Sequence, residues 1–399
     1  MRILIVGGGG REHALAWRLA QSPLVTAIFA SPGNPGIDKL AQCHPVPTEI
    51  AGYAGLAEQL KIDLTVVGPE APLVAGIVDA FRARRLKIVG PTQAAARLEG
   101  SKLFAKAFFE RAGIPTARSG SSIKEFSFPV VIKADGLAAG KGVVIAQDKT
   151  EAERALEQLG SNVVIEEFLE GEEVSFIGLV NGRNVIPFHP TQDHKRLLNG
   201  DKGPNTGGMG AYVDGRILSP KQISEVMDRI MLPAVAQMAK EGSPFTGFLY
   251  AGLMMTAEGP KVLEFNVRLG DPETQVLMHS FEGDLPALLH GEPGAHAAVA
   301  AKPTVCVVLA SHGYPDAYRT GQPIVGVDAA EAAGATVFHA GTGITDEQLQ
   351  TKGGRVLGVT AAGNTLPEAI SNAYGAVEKI HFEGMQYRTD IGQKGLRRW

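Results

Sequence analysis

The chain has 399 residues, enough for two or three domains, and its 38 basic and 42 acidic side chains give a net charge of −4. That balance argues against a general nucleic-acid-binding protein, which is normally basic. Only Cys43 and Cys306 are present, so a disulfide framework and a cysteine-rich metal site are excluded, and a reducing cytoplasm is the expected compartment. Because no stretch approaches the ~18 apolar residues of a membrane helix, no membrane partner is expected.

The first hundred residues alternate short apolar strands with helical segments. Strands are predicted at RILIV, TAIFA, LTVV and LKIV, and helices at EHALAWRLAQ and at PLVAGIVDAFRARR, the latter as one continuous helix. Such alternation predicts a Rossmann-like parallel sheet covered on both faces. Ligands of these sheets bind beyond the carboxyl ends of the strands, where the loops GGGGRE, SPGNPG, GPEAP and GPT are expected to converge.

The loop GGGGRE lies between a strand and a helix, an arrangement typical of anion binding at a helix N-terminus. A dinucleotide site requires Gly-x-Gly-x-x-Gly, but the third glycine position holds Glu12 or His13, and no acidic residue ends the second strand. A dinucleotide is therefore not expected. Two interpretations remain open: an anion site in which Arg11 adds positive charge, and a tight turn without a ligand.

The stretch VIKADGLAAGKGVV places a glycine-rich loop at the tip of a two-stranded hairpin. It is not a P-loop, because Gly136 and Gly140 are too close, Gly142 replaces the required Ser or Thr, and a strand follows instead of a helix. A flexible glycine loop here can still fold over a triphosphate. Lys133 ends the first strand, where its ammonium can reach phosphate oxygens; a solvated surface lysine is the alternative.

The segment VIEEFLEGEE indicates a linker that could bind a nucleoside. Glu166 and Glu167 alternate along a strand, so only one of them faces a given side. Backbone groups of such a linker can bind an adenine edge, and Glu173 can hold ribose hydroxyls; an ordinary acidic turn is the alternative. Before this segment, Thr150 and Glu153 have the spacing of a capping box and predict a helix start.

Residues 187–217 are polar and are predicted to form a long loop, a feature that is usually functional. A long helix is predicted from the capping residue Ser219, with a kink at Pro233. A hairpin of GFLYAGLMMT and KVLEFNV follows, and the remaining strands precede a capped helix starting near Thr365. The C-terminal part is therefore expected to be a separate α+β domain.

The stretch KVLEFNVRLGDPETQ carries the most specific chemistry. Glu264 and Asn266 lie two residues apart on a predicted strand and so point to one face. A carboxylate and an amide oxygen suit magnesium, which shares its ligands with phosphates and water. Arg268 continues this face and is suited to clamp a transferring phosphoryl group. The alternative is an exposed, salt-bridged strand.

The order of these elements, a glycine-loop hairpin, an acidic linker and an E-x-N strand, resembles the ATP-grasp fold. The motifs GGGGREHALAW, GPEAPL, LEGSK, VIKADGLAAGKGV, EEFLEGEE, QDHKR, GPNTGGMGAY, TGFLYAGLM and EFNVRLGDPETQ are similar to those of the glycinamide ribonucleotide synthetase (phosphoribosylamine–glycine ligase) family. The C-terminal FHAGT, GGRVLGVTA and DIG extend the resemblance over nearly the whole chain.

This resemblance implies an ATP-dependent ligase of purine biosynthesis that joins glycine to 5-phosphoribosylamine through a glycyl phosphate. It implies Mg²⁺ or Mn²⁺ at Glu264 and Asn266, and catalytic roles for Arg268, Asp271 and Lys133. The implied ATP-binding residues are Lys102, Lys133, Gly136, Gly140, Lys141, Gly142, Glu166, Glu167, Phe168, Leu169 and Glu173. The implied substrate-binding residues are Gly9, Gly10, Arg11, Glu12, Asp193, Lys195, Arg268 and Asp271.

Three departures from the family pattern stand out. Leu269 replaces a usual Phe, which affects packing under Arg268. Tyr250 lies where many ATP-grasp enzymes have a second metal carboxylate, as it does in this family. The small subdomain between the 140s and 160s is shorter than in relatives, which affects the extent of the lid.

The expected domains are an N-terminal α/β domain over residues 1–100, an ATP-grasp domain over 101–302 with a lid subdomain over about 118–186, and a C-terminal α+β domain over 303–399. A cytoplasmic monomer acting on small molecules, without nucleic-acid or membrane partners, is expected. Two other functions are alternatives to the ligase: an ATP-grasp carboxylase, disfavoured by RLGDPE and QDHKR, and a non-catalytic nucleotide-binding module.

Overall fold

The computed structural model describes residues 1–137, 142–292 and 302–397. In these ranges the α-helices are α1 Gly10–Leu19, α2 Pro35–Asp38, α3 Ile50–Gln59, α4 Glu70–Val74, α5 Ile77–Ala83, α6 Gln93–Gly100, α7 Lys102–Ala112, α8 Lys149–Leu159, α9 Pro220–Val226, α10 Leu232–Lys240, α11 Glu273–Ser280, α12 Leu285–His290, α13 Val327–Ala332, α14 Leu366–Val377 and α15 Gln393–Leu396. A 3₁₀ turn lies at Ile123–Glu125 and a π-helical turn at Met227–Met231.

In chain order, the strands before residue 190 are β1 Arg2–Gly7, β2 Ala27–Pro32, β3 Gln42–Cys43, β4 Leu64–Val67, β5 Ile88–Val89, β6 Ser119–Gly120, β7 Val130–Ala134, β8 Val143–Ala146, β9 Val163–Glu167, β10 Glu172–Asn181 and β11 Asn184–Pro187. The remaining strands are β12 Thr191–Asp193, β13 Arg196–Leu198, β14 Lys202–Asn205, β15 Gly210–Val213, β16 Thr246–Thr256, β17 Gly259–Asn266, β18 Thr304–Ala310, β19 Thr336–His339, β20 Thr342–Thr345, β21 Gln348–Thr351 and β22 Arg355–Ala362.

The N-terminal region forms the predicted parallel sheet, in the order β3-β2-β1-β4-β5. The loops after β1, β2 and β4 therefore leave the sheet at the same edge. The single helix predicted over PLVAGIVDAFRARR is wrong: α4 and α5 are separate helices. Gly76 between them has a left-handed backbone with φ of +88°, a conformation that glycine adopts readily and that ends the first helix.

The rest of the described chain contains two larger antiparallel sheets and the two-stranded ribbons β13-β14 and β20-β21. The small sheet has the order β6-β9-β7-β8. The large nine-stranded sheet has the order β17-β16-β10-β12-β15-β18-β22-β19, with β11 paired to β10. Because β15 pairs with β18, the C-terminal strands continue the central sheet through backbone hydrogen bonds. Side chains from the C-terminal region are thereby carried to the edge of the central region.

Residues 187–217 are not the loop that their polar sequence predicts. β12 and β15 join the large sheet, and β13 and β14 pair with each other. Strands of three or four residues are too short to show the alternation that reveals a strand, and β15 pairs with β18 far along the chain. The helix start predicted from Thr150 is also wrong, because Asp148 is the N-cap and accepts a hydrogen bond from the Glu151 N–H.

Other predicted helix ends and turns are confirmed. Ser219 forms a capping box with Gln222, and Thr365 caps α14. The long helix is interrupted by the π-helical turn just before Pro233, which lies in the first turn of α10, where its missing N–H is tolerated. β16 and β17 form the predicted hairpin.

A hydrophobic cluster fixes the N-terminal sheet against the central region. Ile5 of β1 and Leu15 of α1 belong to it, together with Phe248 of β16 and Met278 of α11. Helix α1 is thereby packed against α11. No helix in the described ranges is both long and apolar enough to span a membrane.

We expect the protein to lose stability as pH falls from about 6.5 to about 5. Burial lowers the pKa of His13 and His194 from 6.5 to about 3 and that of His279 and His339 to about 4. The unfolded chain therefore takes up protons that the folded chain excludes. The contribution of each buried histidine to the free energy of unfolding is fully present above the pKa of that histidine in the unfolded chain. Below that pKa the free energy of unfolding falls by about 1.4 kcal/mol per pH unit for each histidine. Urea denaturation across this range measures the slope.

The His13→Gln variant isolates one of these groups, since the His13 Nδ1 accepts a hydrogen bond of 2.8 Å from the His339 N–H. We expect the free energy of unfolding of this variant to change with pH less steeply than that of the wild type, by the contribution of one histidine. The matched control is His381→Gln, because His381 is exposed. A wild-type stability that is flat over this range, or equal slopes in both variants, contradicts the expectation.

Candidate active site

The glycine loop after β1 is occupied by a carboxylate of its own helix. The Gly9 N–H donates to Glu12 Oε2 at 2.5 Å, and Arg11 Nε lies 2.6 Å from Glu12 Oε1. The Arg11 guanidinium also donates to the Leu269 carbonyl at 3.0 Å. Glu12, which excludes the dinucleotide pattern, therefore closes the loop itself. A Cβ added to Gly68 in the loop after β4 would lie 1.8 Å from Glu12 Oε1, so the two loops touch as predicted.

Asp271 lies against the same loop from the central region. Its carboxylate accepts hydrogen bonds from the Arg11 backbone N–H and from Gln275 Nε2, the latter at 2.8 Å. Burial would raise the pKa of Asp271, but the Arg355 and Arg11 guanidiniums outweigh it and lower that pKa. The N-terminus of α1 thus faces two carboxylates of the chain, those of Glu12 and Asp271.

Arg268 is held by carboxylates from the N-terminal half of the chain. Its Nη2 lies 2.7 Å from Glu99 Oε1 and donates to Asn266 Oδ1 at 3.1 Å, and its Nε donates to Glu70 Oε2 at 3.2 Å. Burial would lower the pKa of Arg268, but the two carboxylates raise it. Glu70 and Glu99 lie within the motifs GPEAPL and LEGSK, yet their local sequence gives no sign that they meet at Arg268.

Glu264 and Asn266 share one face of β17, as predicted, and Asn266 Nδ2 donates to Glu264 Oε1 at 3.5 Å. Asn266 is only 8% exposed, so the alternative of an exposed strand is wrong. Burial would raise the pKa of Glu264, but Lys195 and Lys133 lower it. An ionised carboxylate beside an amide oxygen is a donor set that fits Mg²⁺, which takes few protein ligands and adds phosphates and water.

Two lysines lie where nucleotide phosphates are expected. Lys102 Nζ donates to the Gly136 carbonyl at 2.8 Å, which ties α7 to the glycine-rich loop of the small sheet. Lys133 Nζ donates to the Leu263 carbonyl at 2.9 Å and lies 2.7 Å from Glu166 Oε2. Lys133 is therefore buried and paired, and the interpretation as a solvated surface lysine is wrong.

The strand β9 and the residues after it show the predicted alternation. Glu166 points inward to the lysines, whereas Glu167 lies on the other side, where its Oε1 accepts from the Arg118 N–H at 2.8 Å. Phe168 is exposed and Leu169 is buried. Of the glycine-rich loop, Gly136 and Gly142 lie in the described part, and Gly140 and Lys141 lie outside the described residues.

Residues of QDHKR approach the nucleotide linker. Lys195 Nζ lies 3.1 Å from Glu173 Oε2, which joins a predicted substrate residue to the predicted ribose ligand. Burial raises the pKa of Asp193 to about 7, against the effect of Lys195. Burial would lower the pKa of Lys195, but Glu173 and Asp193 raise it well above its ordinary value. Lys195 therefore stays protonated and is ion-paired with Glu173.

Tyr250 is paired in register with Asn266, at the place where many ATP-grasp enzymes have an acid. Its hydroxyl donates to Glu273 Oε1 at 2.6 Å, and Ser175 Oγ donates to the same oxygen at 3.2 Å. Burial raises the pKa of Tyr250 well above its ordinary value, so the phenol stays a donor. A carboxylate is therefore supplied near this point by α11. The substituted Leu269 is buried, as a packing role requires.

Arg355 at the start of β22 is a site residue that the sequence did not reveal. Its Nη1 donates to the Gly207 carbonyl at 2.6 Å and to the Asp271 carbonyl at 2.7 Å. Tyr314, also from the C-terminal region, accepts from the Gly207 N–H at 2.9 Å. These contacts join segments more than eighty residues apart, a separation over which no local pattern gives a signal.

The chain matches three family models in sequence order. These are "Phosphoribosylglycinamide synthetase, N domain" at residues 1–99, "Phosphoribosylglycinamide synthetase, ATP-grasp (A) domain" at 100–274 and "Phosphoribosylglycinamide synthetase, C domain" at 304–394. It is 49% identical over 424 residues to the phosphoribosylamine–glycine ligase of Ralstonia nicotianae, with 100% of each chain covered. It is 48% identical to the ligase of the same name from Pseudomonas aeruginosa, covering 100% of this chain and 99% of that one.

Solved structures with similar folds include the phosphoribosylamine–glycine ligase of Thermotoga maritima. That structure has a TM-score of 0.85 and 38% identity, and the match covers 98% of this chain and 100% of the other. The biotin carboxylase of Campylobacter jejuni has a TM-score of 0.73 at 13% identity, covering 99% of this chain and 95% of that one. At that identity the likeness to the carboxylase concerns the fold alone.

We expect the Glu99→Gln variant to be less stable than the wild type by about 2–3 kcal/mol, since it removes one carboxylate from a buried ion pair while Glu70 remains. The matched control is Glu241→Gln, because the Glu241–Arg111 pair is at the surface and its loss costs about 1 kcal/mol or less. Urea denaturation of both variants measures the difference. Equal losses in the two variants contradict the role of Glu99 as the buried partner of Arg268.

Proposed function

This chain belongs to the phosphoribosylglycinamide synthetase family, and we propose that its site joins glycine to 5-phosphoribosylamine through a glycyl phosphate, with ATP converted to ADP and phosphate. The product is glycinamide ribonucleotide, an intermediate of purine biosynthesis. The observation that carries the proposal is the contiguous polar face of Glu264, Asn266 and Arg268, with Lys133 and Lys195 acting on Glu264.

The reaction needs activation because the carboxylate of glycine is a poor electrophile. A carboxylate oxygen of glycine attacks the γ-phosphorus of ATP, the bond from that phosphorus to the β,γ-bridging oxygen breaks, and ADP leaves. The amine of phosphoribosylamine then attacks the acyl carbon, phosphate leaves with its electron pair, and the nitrogen loses a proton. Such a reaction needs little covalent participation by the protein, so positioning and charge stabilisation dominate.

The proposed nucleotide site lies between the small and large sheets. Lys102 and Lys133 are proposed to bind phosphates, together with the glycine-rich loop of Gly136, Gly140, Lys141 and Gly142, of which Gly140 and Lys141 lie outside the described residues. The backbone of residues 166–169 binds the adenine edge, which agrees with Glu166 turning its side chain away to the lysines. Glu173 holds the ribose, and its pairing with Lys195 brings the acceptor loop next to the nucleotide.

The proposed metal ligands are Glu264 and Asn266, for Mg²⁺ or Mn²⁺. A bound divalent cation neutralises charge on the phosphate oxygens during transfer. Arg268 keeps Asn266 oriented through the 3.1 Å hydrogen bond to its amide oxygen. Arg268 and Asp271 are proposed to face the glycyl phosphate and an amine.

The proposed acceptor site combines the glycine loop with QDHKR. Gly9, Gly10, Arg11 and Glu12 are proposed to receive the 5′-phosphate, and Asp193 with Lys195 to line the remainder. Two N–H groups of the loop donate to Glu12 and Asp271 in the structure, so a phosphate bound there competes with these carboxylates for donors.

The domain limits at residues 100 and 302, the lid subdomain over about 118–186, the monomeric state and the cytoplasmic location are part of the same proposal. The relatives are named phosphoribosylamine–glycine ligases, after two small molecules. The proposal accordingly includes small-molecule substrates and no nucleic-acid or membrane partner. The chain matches three separate family models, at residues 1–99, 100–274 and 304–394, and these matches support a division into three parts.

The reaction is tested by phosphate release from ATP. We expect turnover only when glycine and phosphoribosylamine are both present, because both are consumed. Bicarbonate in place of glycine is the control for an ATP-grasp carboxylase. Glycine-independent turnover, or turnover with bicarbonate alone, overturns the proposal.

The metal assignment is tested by Glu264→Ala, which we expect to lose turnover by on the order of a hundredfold to a thousandfold while remaining folded. The matched control is Glu258→Ala in the same hairpin, since Glu258 is exposed and only pairs with Lys261. Circular dichroism verifies that both variants are folded. Full activity of Glu264→Ala shows that the assignment is wrong.

A further inference from the structure

Three charged side chains form a buried cluster beneath the proposed phosphate site. Glu166 of β9 lies between Lys106 of α7 and Lys133 of β7, with its Oε1 2.8 Å from Lys106 Nζ and its Oε2 2.7 Å from Lys133 Nζ. The three side chains are 6–11% exposed. Buried charges of this kind are costly unless they are paired, so the arrangement is built by the fold and is not an incidental surface contact.

Lys106 has no hydrogen-bond donor left for a ligand. An ammonium has three N–H groups. In Lys106 they are directed to Glu166 Oε1, to Thr116 Oγ1 at 2.9 Å and to the Ala117 carbonyl. Lys106 is therefore held in place by the chain and cannot itself coordinate a phosphate without giving up one of these bonds.

Lys133 differs from Lys106 in having two partners, not three, among the described residues. Two of its N–H groups are directed to Glu166 Oε2 and to the Leu263 carbonyl, the latter at 2.9 Å. Leu263 immediately precedes Glu264, so the ammonium of Lys133 is fixed next to the proposed metal ligand. Within residues 1–137, 142–292 and 302–397 its third N–H has no recorded partner, so it can donate to a phosphate oxygen.

The charges of the cluster explain why two lysines are needed. Glu166 paired with Lys133 alone would cancel the charge that attracts a phosphate. With Lys106 the cluster carries a net charge of +1, and both oxygens of Glu166 are fixed, so Lys133 is oriented without being neutralised. Lys106 thus acts at a distance, through a carboxylate that it shares with the ligand-binding lysine.

We propose that Lys106 is a positioning residue for nucleotide binding, which through Glu166 orients Lys133 and leaves the cluster with the positive charge that the phosphates of ATP require. This inference rests on the proposed function in one respect, the contact of Lys133 with a phosphate. It assigns no contact between Lys106 and the nucleotide.

The test measures binding of ATP and of adenosine to the whole protein by titration calorimetry, with Mg²⁺ present. In Lys106→Met we expect ATP affinity to fall about tenfold, within the range for residues coupled through a shared partner. Adenosine affinity stays unchanged, because adenosine has no phosphate. The matched control is Lys221→Met at the exposed start of α9, which leaves both affinities unchanged. An equal loss for adenosine, or no loss for ATP, overturns the inference.

A double-mutant cycle separates positioning from a general effect. In a Lys133→Met background, Lys106→Met is expected to cause little further loss of ATP affinity, because the group that it positions is absent. Independent losses that multiply overturn the inference. If Lys106→Met does not fold, Lys106→Gln replaces it, since the amide keeps donors for Thr116 and the Ala117 carbonyl but removes the charge. The same loss of ATP affinity is expected.

The binding assays contain neither glycine nor phosphoribosylamine, so they do not depend on the reaction that follows. Absence of glycine-dependent turnover in the wild type would refute the proposed ligase and leave the binding result intact. Conversely, an active ligase whose Lys106→Met variant binds ATP normally refutes only the role of Lys106.

Discussion

The rest of the site depends on the charge balance around Arg268. One guanidinium is surrounded by Glu70, Glu99 and Asn266, which come from two different regions of the chain. A buried cation needs such partners, and in meeting that need Arg268 fixes the N-terminal helices against β17 and orients an amide oxygen beside Glu264. The glycine loop, Asp271 and Arg355 form a second set of charges next to it, in which each carboxylate is matched by an arginine. Binding and folding thus use the same side chains.

Much of this arrangement follows from the sequence, and the reasons are local. The parallel sheet, the hairpin of β16 and β17 and the caps at Ser219 and Thr365 are set by alternation and by turn and capping chemistry within a few residues. The common face of Glu264 and Asn266 follows from strand geometry alone. Family resemblance added the chemistry, which no pattern in the glycine loops would have provided. Where a helix begins or ends differently from the predicted position, a single residue is the cause: Gly76 separates α4 from α5, and Asp148 caps α8.

What the sequence could not reveal depends on pairing over long distances. Glu70, Glu99, Lys106 and Arg355 are ordinary charged residues in ordinary helices or strands, and only the fold brings each to its partner. Strands β12 to β15 have only three or four residues each, so neither hydrophobicity nor period marks them, and the partner β18 of β15 lies far along the chain. The partners of charged side chains and of short strands are set by the folded chain. Propensity and alternation, in contrast, can be read from a single segment of the sequence.

The division of the backbone into separate sheets has a mechanical consequence. Among the described strands, the small sheet β6-β9-β7-β8 and the nine-stranded sheet share no strand pairing, whereas the C-terminal strands are hydrogen-bonded into the large sheet. Rotation of the small sheet therefore breaks no ladder hydrogen bonds, and the C-terminal region has no comparable freedom. Lys133 is on the small sheet and donates to Leu263 on the large one. The Lys133 ammonium thus joins the two sheets, together with the backbone bridge between Thr116 and Val262 just before the small sheet begins. A change in the angle between the sheets would therefore move this ammonium relative to β17.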